Sequence, residues 1–219
     1  LTRDGRVISC EWFNAWLPRQ EGEPQEVISL AIDITERRRL EEQVRQLAFF
    51  DPLTRLPNRR LLDDRVEQAM ANGQRHGECG ALLFIDLDNF KPLNDRHGHD
   101  VGDLLLVEVA RRLVESVRAV DTVARYGGDE FVVLLQHLSV DVDRARADAQ
   151  RVAEKLLARL TECYRLCRPG DAAPVEHRCS ASIGLVLLDG LDGKEAVFRR
   201  ADMAMYEAKR AGRSRIAPA

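Results

Sequence analysis

The sequence predicts an α+β fold, an antiparallel central sheet with flanking helices, and three observations predict it. Short apolar and β-branched runs alternate with longer stretches of helical period, in the order strand, helix, strand, strand, helix, strand. The first of these strands, Gly80 to Asp86, is apolar almost throughout and reads as buried. The middle pair, within Val123 to Leu135, is interrupted only by Gly127-Gly128-Asp129-Glu130, and a Gly-Gly pair between two such runs reads as a tight hairpin. That element order is the ferredoxin-like βαββαβ core, in which helices are expected on one face of the sheet.

The remaining elements follow in order. Asp4-Gly5 is a turn signal, and two strands, Val7 to Phe13 and Val27 to Ile32, flank a charged loop. Two strands do not make an independent domain. Glu36 to Phe50 is rich in helix formers, and Asp33 or Thr35 can cap its start. Leu40, Val44 and Leu47 form a narrow seam that suits a partner helix or the chain's own domain, and it is too short to sustain a coiled coil alone. A helix is expected from about Arg59 to Met70, ended by Asn72-Gly73. Phe90 to Asp100 reads as a polar loop. Helices are expected from about Val101 to Val117, Arg144 to Leu160 and Glu195 to Ala211, with a strand from Cys179 to Leu187. Thr161 to Arg178, which contains Pro169-Gly170, reads as a loop or hairpin.

Composition narrows the function. The 219 residues are 45% apolar and 32% charged, as in a soluble globular protein, and are enough for one sizeable domain plus an appendage. A net charge of −3 supplies no general attraction for nucleic acid or an acidic membrane surface. No run approaches a membrane span and no signal peptide is visible. Five cysteines without a scaffold pattern indicate a reducing compartment, and Cys163 and Cys167 lack the second pair a zinc site needs. The first residue is Leu, so the stretch is expected to be part of something longer, with the cytoplasm as its location and a membrane anchor left open for the rest. A P-loop is excluded, because no Gly-rich loop ends in Lys-Ser or Lys-Thr.

Asp86 closes an apolar strand, where an unpaired charge is costly. In a ferredoxin-like sheet that strand neighbours the hairpin, so Asp86 and the Asp129-Glu130 pair are expected to meet at one edge. Clustered carboxylates repel, and a hard divalent cation with phosphate oxygens relieves that repulsion. Lys209 and Arg213, four apart, are cations near the end of the last helix, where a favourable helix-terminal charge is the other reading. Arg118 and Asp121 lie three apart just ahead of the hairpin, a spacing that also suits a surface ion pair.

Gly127-Gly128-Asp129-Glu130-Phe131 is the name-giving motif of the GGDEF domains, and from about Leu47 to Ile216 the sequence resembles that family of diguanylate cyclases. Asp51-Pro52-Leu53-Thr54-Arg55-Leu56-Pro57-Asn58-Arg59-Arg60 is similar to the family's entry motif, with Arg55 where glycine is more usual. Ala201 to Arg213 resembles its closing motif. The resemblance implies condensation of two GTP into cyclic di-GMP with release of two pyrophosphates. It implies that Asp86, the backbone carbonyl of Leu87 and Asp129 hold Mg²⁺, with Mn²⁺ as a substitute. Asp129 or Glu130 then helps deprotonate the attacking 3′-hydroxyl, while Gly127 and Gly128 permit close approach.

By the same resemblance Asn94 and Asp103 read the guanine, whose N1–H and N2 amine need acceptors. His99 stands where a nucleotide-contacting histidine is common, and Asn89 where an aromatic is frequent. Lys91, Lys209 and Arg213 serve the phosphates. Arg118 and Asp121 match the inhibitory product site, with Arg151 a weaker candidate for its second arginine. Catalysis implies a homodimer, each chain holding one GTP.

Residues 1–34 resemble the closing strands of a PAS sensor domain, ending in Asp33-Ile34-Thr35. The expected division is therefore a PAS-like fragment at 1–34, a linker helix at 35–50 and the GGDEF domain at 51–219. The alternative is a catalytically silent GTP- or cyclic di-GMP-binding regulator within a GGDEF–EAL phosphodiesterase, which Phe49 to Leu62 and Ser180 to Gly184 also resemble. A polymerase palm shares the carboxylate logic but calls for a basic strand-tracking groove that this composition lacks.

Overall fold

Along the chain the elements are β1 (Cys10–Trp16), β2 (Val27–Asp33), α1 (Thr35–Phe49), α2 (Arg59–His76), β3 (Gly80–Leu87), α3 (Phe90–His97), α4 (His99–Ser116), β4 (Thr122–Gly127), β5 (Glu130–Leu135), α5 (Val142–Thr161), β6 (Tyr164–Leu166), β7 (Val175–His177), β8 (Ala181–Leu188), α6 (Lys194–Arg210) and β9 (Arg215–Pro218). The computed structural model describes residues 5–17, 26–168, 170, 173–190 and 192–219. Asp4 of the expected Asp4-Gly5 turn, most of the charged loop after β1 and Pro169 fall outside the described residues. The chain divides into two units, Leu1–Ala48 and Phe49–Ala219. Among the described residues no helix is long and apolar enough to cross a membrane.

In the first unit β1 and β2 pair antiparallel, Cys10 opposite Asp33 and Trp16 opposite Val27. Thr35 ties strand to helix. Its N–H donates to Asp33 Oδ1 at 2.9 Å, and its hydroxyl oxygen accepts from the Ser9 N–H at 2.9 Å. Leu40, Val44 and Leu47 are exposed along α1.

The second unit is built on a five-stranded sheet of order β4-β5-β3-β8-β9. The first four strands are antiparallel, as the ferredoxin-like order requires, and β9 adds a parallel edge strand that the sequence did not suggest. The expectation of helices on one face is corrected. Ala81, Leu83 and Ile85 of β3 join α4 and α5 in one core, while Leu82 and Phe84 join α2 and α6 in another. A central strand apolar from Gly80 through Ile85 exposes hydrophobic surface on both sides, so both must be covered. Gly184 of β8 brings α6 close. A Cβ there would lie 2.1 Å from the Ala201 carbonyl oxygen and 2.5 Å from the Met205 nitrogen.

Two local expectations are also corrected. Helix α2 does not stop at Asn72-Gly73 but runs to His76, where Gly77 takes the left-handed conformation (φ 71°) and caps it through its N–H to the Gly73 carbonyl. Phe90 to His97 is helical rather than a loop, with Leu93 as its buried anchor. Asn89 enters that helix at φ 60°, a conformation asparagine tolerates better than an aromatic residue does. The reading of Thr161 to Arg178 as a loop or hairpin resolves to the hairpin β6–β7.

Candidate active site

The β4–β5 hairpin turns on Gly128 and Asp129, with Gly127 paired to Glu130 and a register shift between Arg125 and Gly127. Gly128 holds φ 49°, which favours glycine. Arg125 fixes the turn from outside. Its Nε and Nη2 donate to the Gly128 carbonyl at 3.0 and 2.8 Å, while its Nη1 reaches Asp51 Oδ1 at 3.1 Å.

Register then sets the acids. Asp86 of β3 stands opposite Glu130 of β5, and the Leu87 N–H donates to the Asp129 carbonyl at 3.3 Å. Asp86, Leu87, Lys91, Asp129, Lys209 and Arg213 line one cavity of about 360 Å³. Burial raises the Asp86 carboxyl above its ordinary range, the Lys209 hydrogen bond opposes that rise, and neighbouring Asp129 and Asp88 add to it. Glu130 is likewise held high, by burial first and then by Asp86, Asp129 and Asp202. Lys209 is the cation against these acids, its Nζ 2.6 Å from Asp86 Oδ2. Arg213 lies past the end of α6, in the left-handed region at φ 61°.

Asp88, two residues beyond Asp86, has a different task. It accepts from the Ser180 and Ser182 hydroxyls at 2.6 and 2.8 Å and from the Ser214 N–H at 3.1 Å, tying β3 to β8 and to the turn before β9. Among the described residues no group of three or more His, Cys, Asp or Glu side chains forms a metal cage. Two carboxylates and a carbonyl make a smaller donor set, one suited to a hard cation that keeps phosphate oxygens among its ligands.

The α3–α4 corner carries the other polar candidates. Asn94 Oδ1 is buried and has no hydrogen-bond partner. A Cβ at Gly102 would stand 1.9 Å from that oxygen, so the bare glycine makes the room in which the amide sits. An orphaned acceptor in a cradle of this kind asks for a donor from a ligand. Asp103 and His99 are exposed on the first turns of α4, and Lys91 is exposed on the first turn of α3. Arg118 and Asp121 do not form a side-chain ion pair. The Arg118 N–H donates to Asp121 Oδ2 at 3.0 Å, and Asp121 Oδ1 accepts from the Gln136 N–H at 3.2 Å. With Arg151 and Lys155 they line a separate cavity of about 350 Å³.

Residues 48–215 match the family described as diguanylate cyclase, GGDEF domain. The chain belongs to that family. Among curated relatives it is 48% identical over 178 residues to the bifunctional diguanylate cyclase/cyclic di-GMP phosphodiesterase MucR of Pseudomonas aeruginosa, covering 80% of this chain and 24% of MucR. The chain therefore spans about a quarter of that relative's length. Among solved structures it is similar to the GGDEF domain of TpbB from Pseudomonas aeruginosa, with 42% identity, a TM-score of 0.70, and 78% of this chain and 94% of that one covered. The coiled coil and GGDEF domain of DgcB from Caulobacter crescentus, solved in complex with c-di-GMP, gives 30% identity and a TM-score of 0.74, with 85% and 93% covered.

Four features of this GGDEF domain were not singled out in the sequence: the Asp51–Arg125 clamp, the Asp88 tie, the Gly102 cradle, and Arg59 with Arg60 beside the turn. Asp88 carried a faint signal, since a second acid two residues beyond a strand-end acid needs partners of its own. Gly102 carried another, since a helix interior disfavours glycine. The clamp joins residues 74 apart and left no local mark.

Proposed function

We propose that the chain is a diguanylate cyclase that condenses two GTP into cyclic di-GMP and two pyrophosphates. The observation that carries this reading is the meeting of Asp86, Asp129 and Glu130 at one end of the sheet, with Lys209 and Arg213 lining the same cavity as the two aspartates. The 3′-hydroxyl oxygen of one GTP forms a bond to the α-phosphorus of the other, the bond to the pyrophosphate oxygen breaks, and the proton passes to Asp129 or Glu130. A second, reciprocal step closes the ring. The Glu130 carboxyl, held above its ordinary range by burial and then by Asp86 and Asp129, is the better suited of the two to accept a proton. Asp86, the Leu87 carbonyl and Asp129 would hold Mg²⁺, with Mn²⁺ as a substitute. The bound ion supplies charge neutralisation at the phosphoryl oxygens.

Asn94 and Asp103 orient guanine, with His99 beside the nucleotide, and Lys91, Lys209 and Arg213 bind its phosphates. Gly127 and Gly128 keep the approach to the reacting atoms free of side chains. Each chain holds one GTP, so two copies face one another, and helix α1 sets their geometry as the linker from a PAS-like fragment at 1–34. Arg118 and Asp121, with Arg151 across the same cavity, bind the product and restrain turnover. GTP as substrate and unpaired cysteines fit the cytoplasm.

Incubation with GTP and Mg²⁺ tests the reading. The parent chain yields cyclic di-GMP, whereas Asp129→Ala yields none while keeping its fold by circular dichroism. Product from Asp129→Ala at the parent rate refutes the assignment. The second reading, a silent nucleotide-binding regulator, draws on MucR, whose name carries a phosphodiesterase beside the cyclase. It predicts GTP binding without product from the parent chain.

A further inference from the structure

The Gly127-Gly128 turn has two flanks. One leads to the carboxylates and the phosphate cations already described. The other opens into a cavity of about 570 Å³ lined by both glycines and by Arg59, Arg60, Asp63 and Tyr126, with the Asp51–Arg125 pair at its edge. Arg125 is committed to Asp51 and to the Gly128 carbonyl. Arg59 and Arg60 are not. The Arg59 guanidinium lies 4.7 Å from the centre of the Tyr126 ring, and that ring is itself held by Phe84 at 5.0 Å and Phe198 at 5.9 Å. Arg60 lies 5.0 Å from the centre of the Phe49 ring. Among the described residues neither guanidinium is paired with a carboxylate. A guanidinium stacked on a ring is positioned without spending its N–H edge, which is the edge that grips a phosphate bidentately.

The condensation needs two triphosphates at one turn. The flank bearing Asp86, Asp129 and Glu130 repels a second one, and its cations Lys209 and Arg213 serve the nucleotide the chain already holds. A triphosphate arriving from outside needs a positive surface within reach of the side-chain-free turn, and the opposite flank offers one. We propose that this cleft receives the triphosphate of the GTP carried by a second copy of the chain, with Arg59 and Arg60 as its phosphate-binding residues. The inference rests on the cyclase reading above. As the bond between the α-phosphorus and the pyrophosphate oxygen breaks, charge collects on the leaving pyrophosphate, and Arg59 lies on the flank where that charge is met.

The experiment uses Arg59→Ala and Arg59→Lys in the full chain. Calorimetry measures binding of a GTP analogue with an α,β-methylene bridge, and native mass spectrometry measures the gain in paired chains that the analogue causes. In the parent chain the analogue raises the paired fraction. In Arg59→Ala one analogue still binds each chain with unchanged affinity, the analogue-dependent gain disappears, and condensation at saturating GTP falls on the order of 100-fold. Arg59→Lys recovers part of both losses, since it keeps the charge without the fork. An equal gain in Arg59→Ala, no gain in the parent chain, or weakened binding of the analogue to the single Arg59→Ala chain overturns the proposal. A parent chain that pairs through Arg59 but makes no product overturns only the cyclase reading.

Discussion

Arg125 Nη1 lies 3.1 Å from Asp51 Oδ1, and the same guanidinium donates to the carbonyl of Gly128. The entry motif and the Gly127-Gly128 turn are thereby one mechanical unit, tied by two residues 74 apart. Arg125→Ala frees the turn and leaves a half-buried carboxylate without its cation, at a cost of about 1–3 kcal/mol by chemical denaturation. Turnover is expected to fall further than GTP affinity, because the clamp holds the turn and not the corner of Asn94 and Asp103 proposed to orient guanine.

The same clamp predicts a pH dependence. Burial pushes the Asp51 carboxyl up, but the Thr54 hydroxyl and N–H and the Arg125 guanidinium outweigh it and hold the group below its usual value. A carboxylate depressed in the folded state contributes stability above its unfolded pKa, and that contribution is lost as pH falls through the folded value. The window therefore lies below about pH 4. Asp51→Asn is expected to flatten the acid limb of a melting-temperature profile in that range, and an unaltered limb would remove Asp51 from the account.

Gly102→Ala separates two effects of opposite sign. Helix propensity favours alanine in a helix interior by about 1 kcal/mol. The new Cβ, however, would stand 1.9 Å from Asn94 Oδ1 and must displace that side chain. Stability is expected to change by no more than about 1 kcal/mol, while GTP affinity falls by on the order of tenfold or more, and discrimination against ATP falls with it. Calorimetric titration with both nucleotides checks this.

Arg55 sits at φ 59° in the turn between Asp51 and Leu56. A side chain in this conformation is strained where glycine is not. Arg55→Gly is expected to stabilise the protein by about 0.5–1 kcal/mol, relief of strain outweighing the greater freedom of the unfolded chain. A urea midpoint that moves down instead shows that the arginine makes a contact worth more than its strain.

What could be read from the residues, and what could not, divides along physical lines. Gly80 to Asp86 was legible because a strand buried on both faces is apolar at nearly every step, and the hairpin because glycines mark it. Helix α3 was illegible because its eight residues include Pro92, Asn94 and Asp95 and bury only Leu93. Its helicity is settled by packing against α4, where Gly102 admits Asn94. The second layer of helices was missed for a related reason, since periodicity shows which residues are buried but not on which side of a sheet their helix will land. The candidate acids were found from strand order. Their partner Lys209 was read as a phosphate cation or a helix-terminal charge, because its contact with Asp86 joins residues far apart in the chain.

That contact yields the last prediction. Lys209 Nζ lies 2.6 Å from Asp86 Oδ2, and the Asp86 side chain is only 9% exposed. Removing one partner of a largely buried pair leaves a charge with neither water nor counterion. Lys209→Met is therefore expected to destabilise the metal-free protein by about 1–3 kcal/mol. A divalent cation seated between Asp86 and Asp129 supplies the missing charge, so Mg²⁺ is expected to stabilise Lys209→Met more than the parent chain, and a chelator to restore the difference. Asp86→Asn inverts the pattern. Lys209, more exposed than Asp86 and still facing Glu130, is left better served than the stranded carboxylate, so the metal-free protein loses less stability than Lys209→Met does and added Mg²⁺ gives no shift. Thermal melts of the three chains with Mg²⁺ and with a chelator decide the matter: equal metal-dependent shifts in Lys209→Met and Asp86→Asn would mean that the ion binds elsewhere.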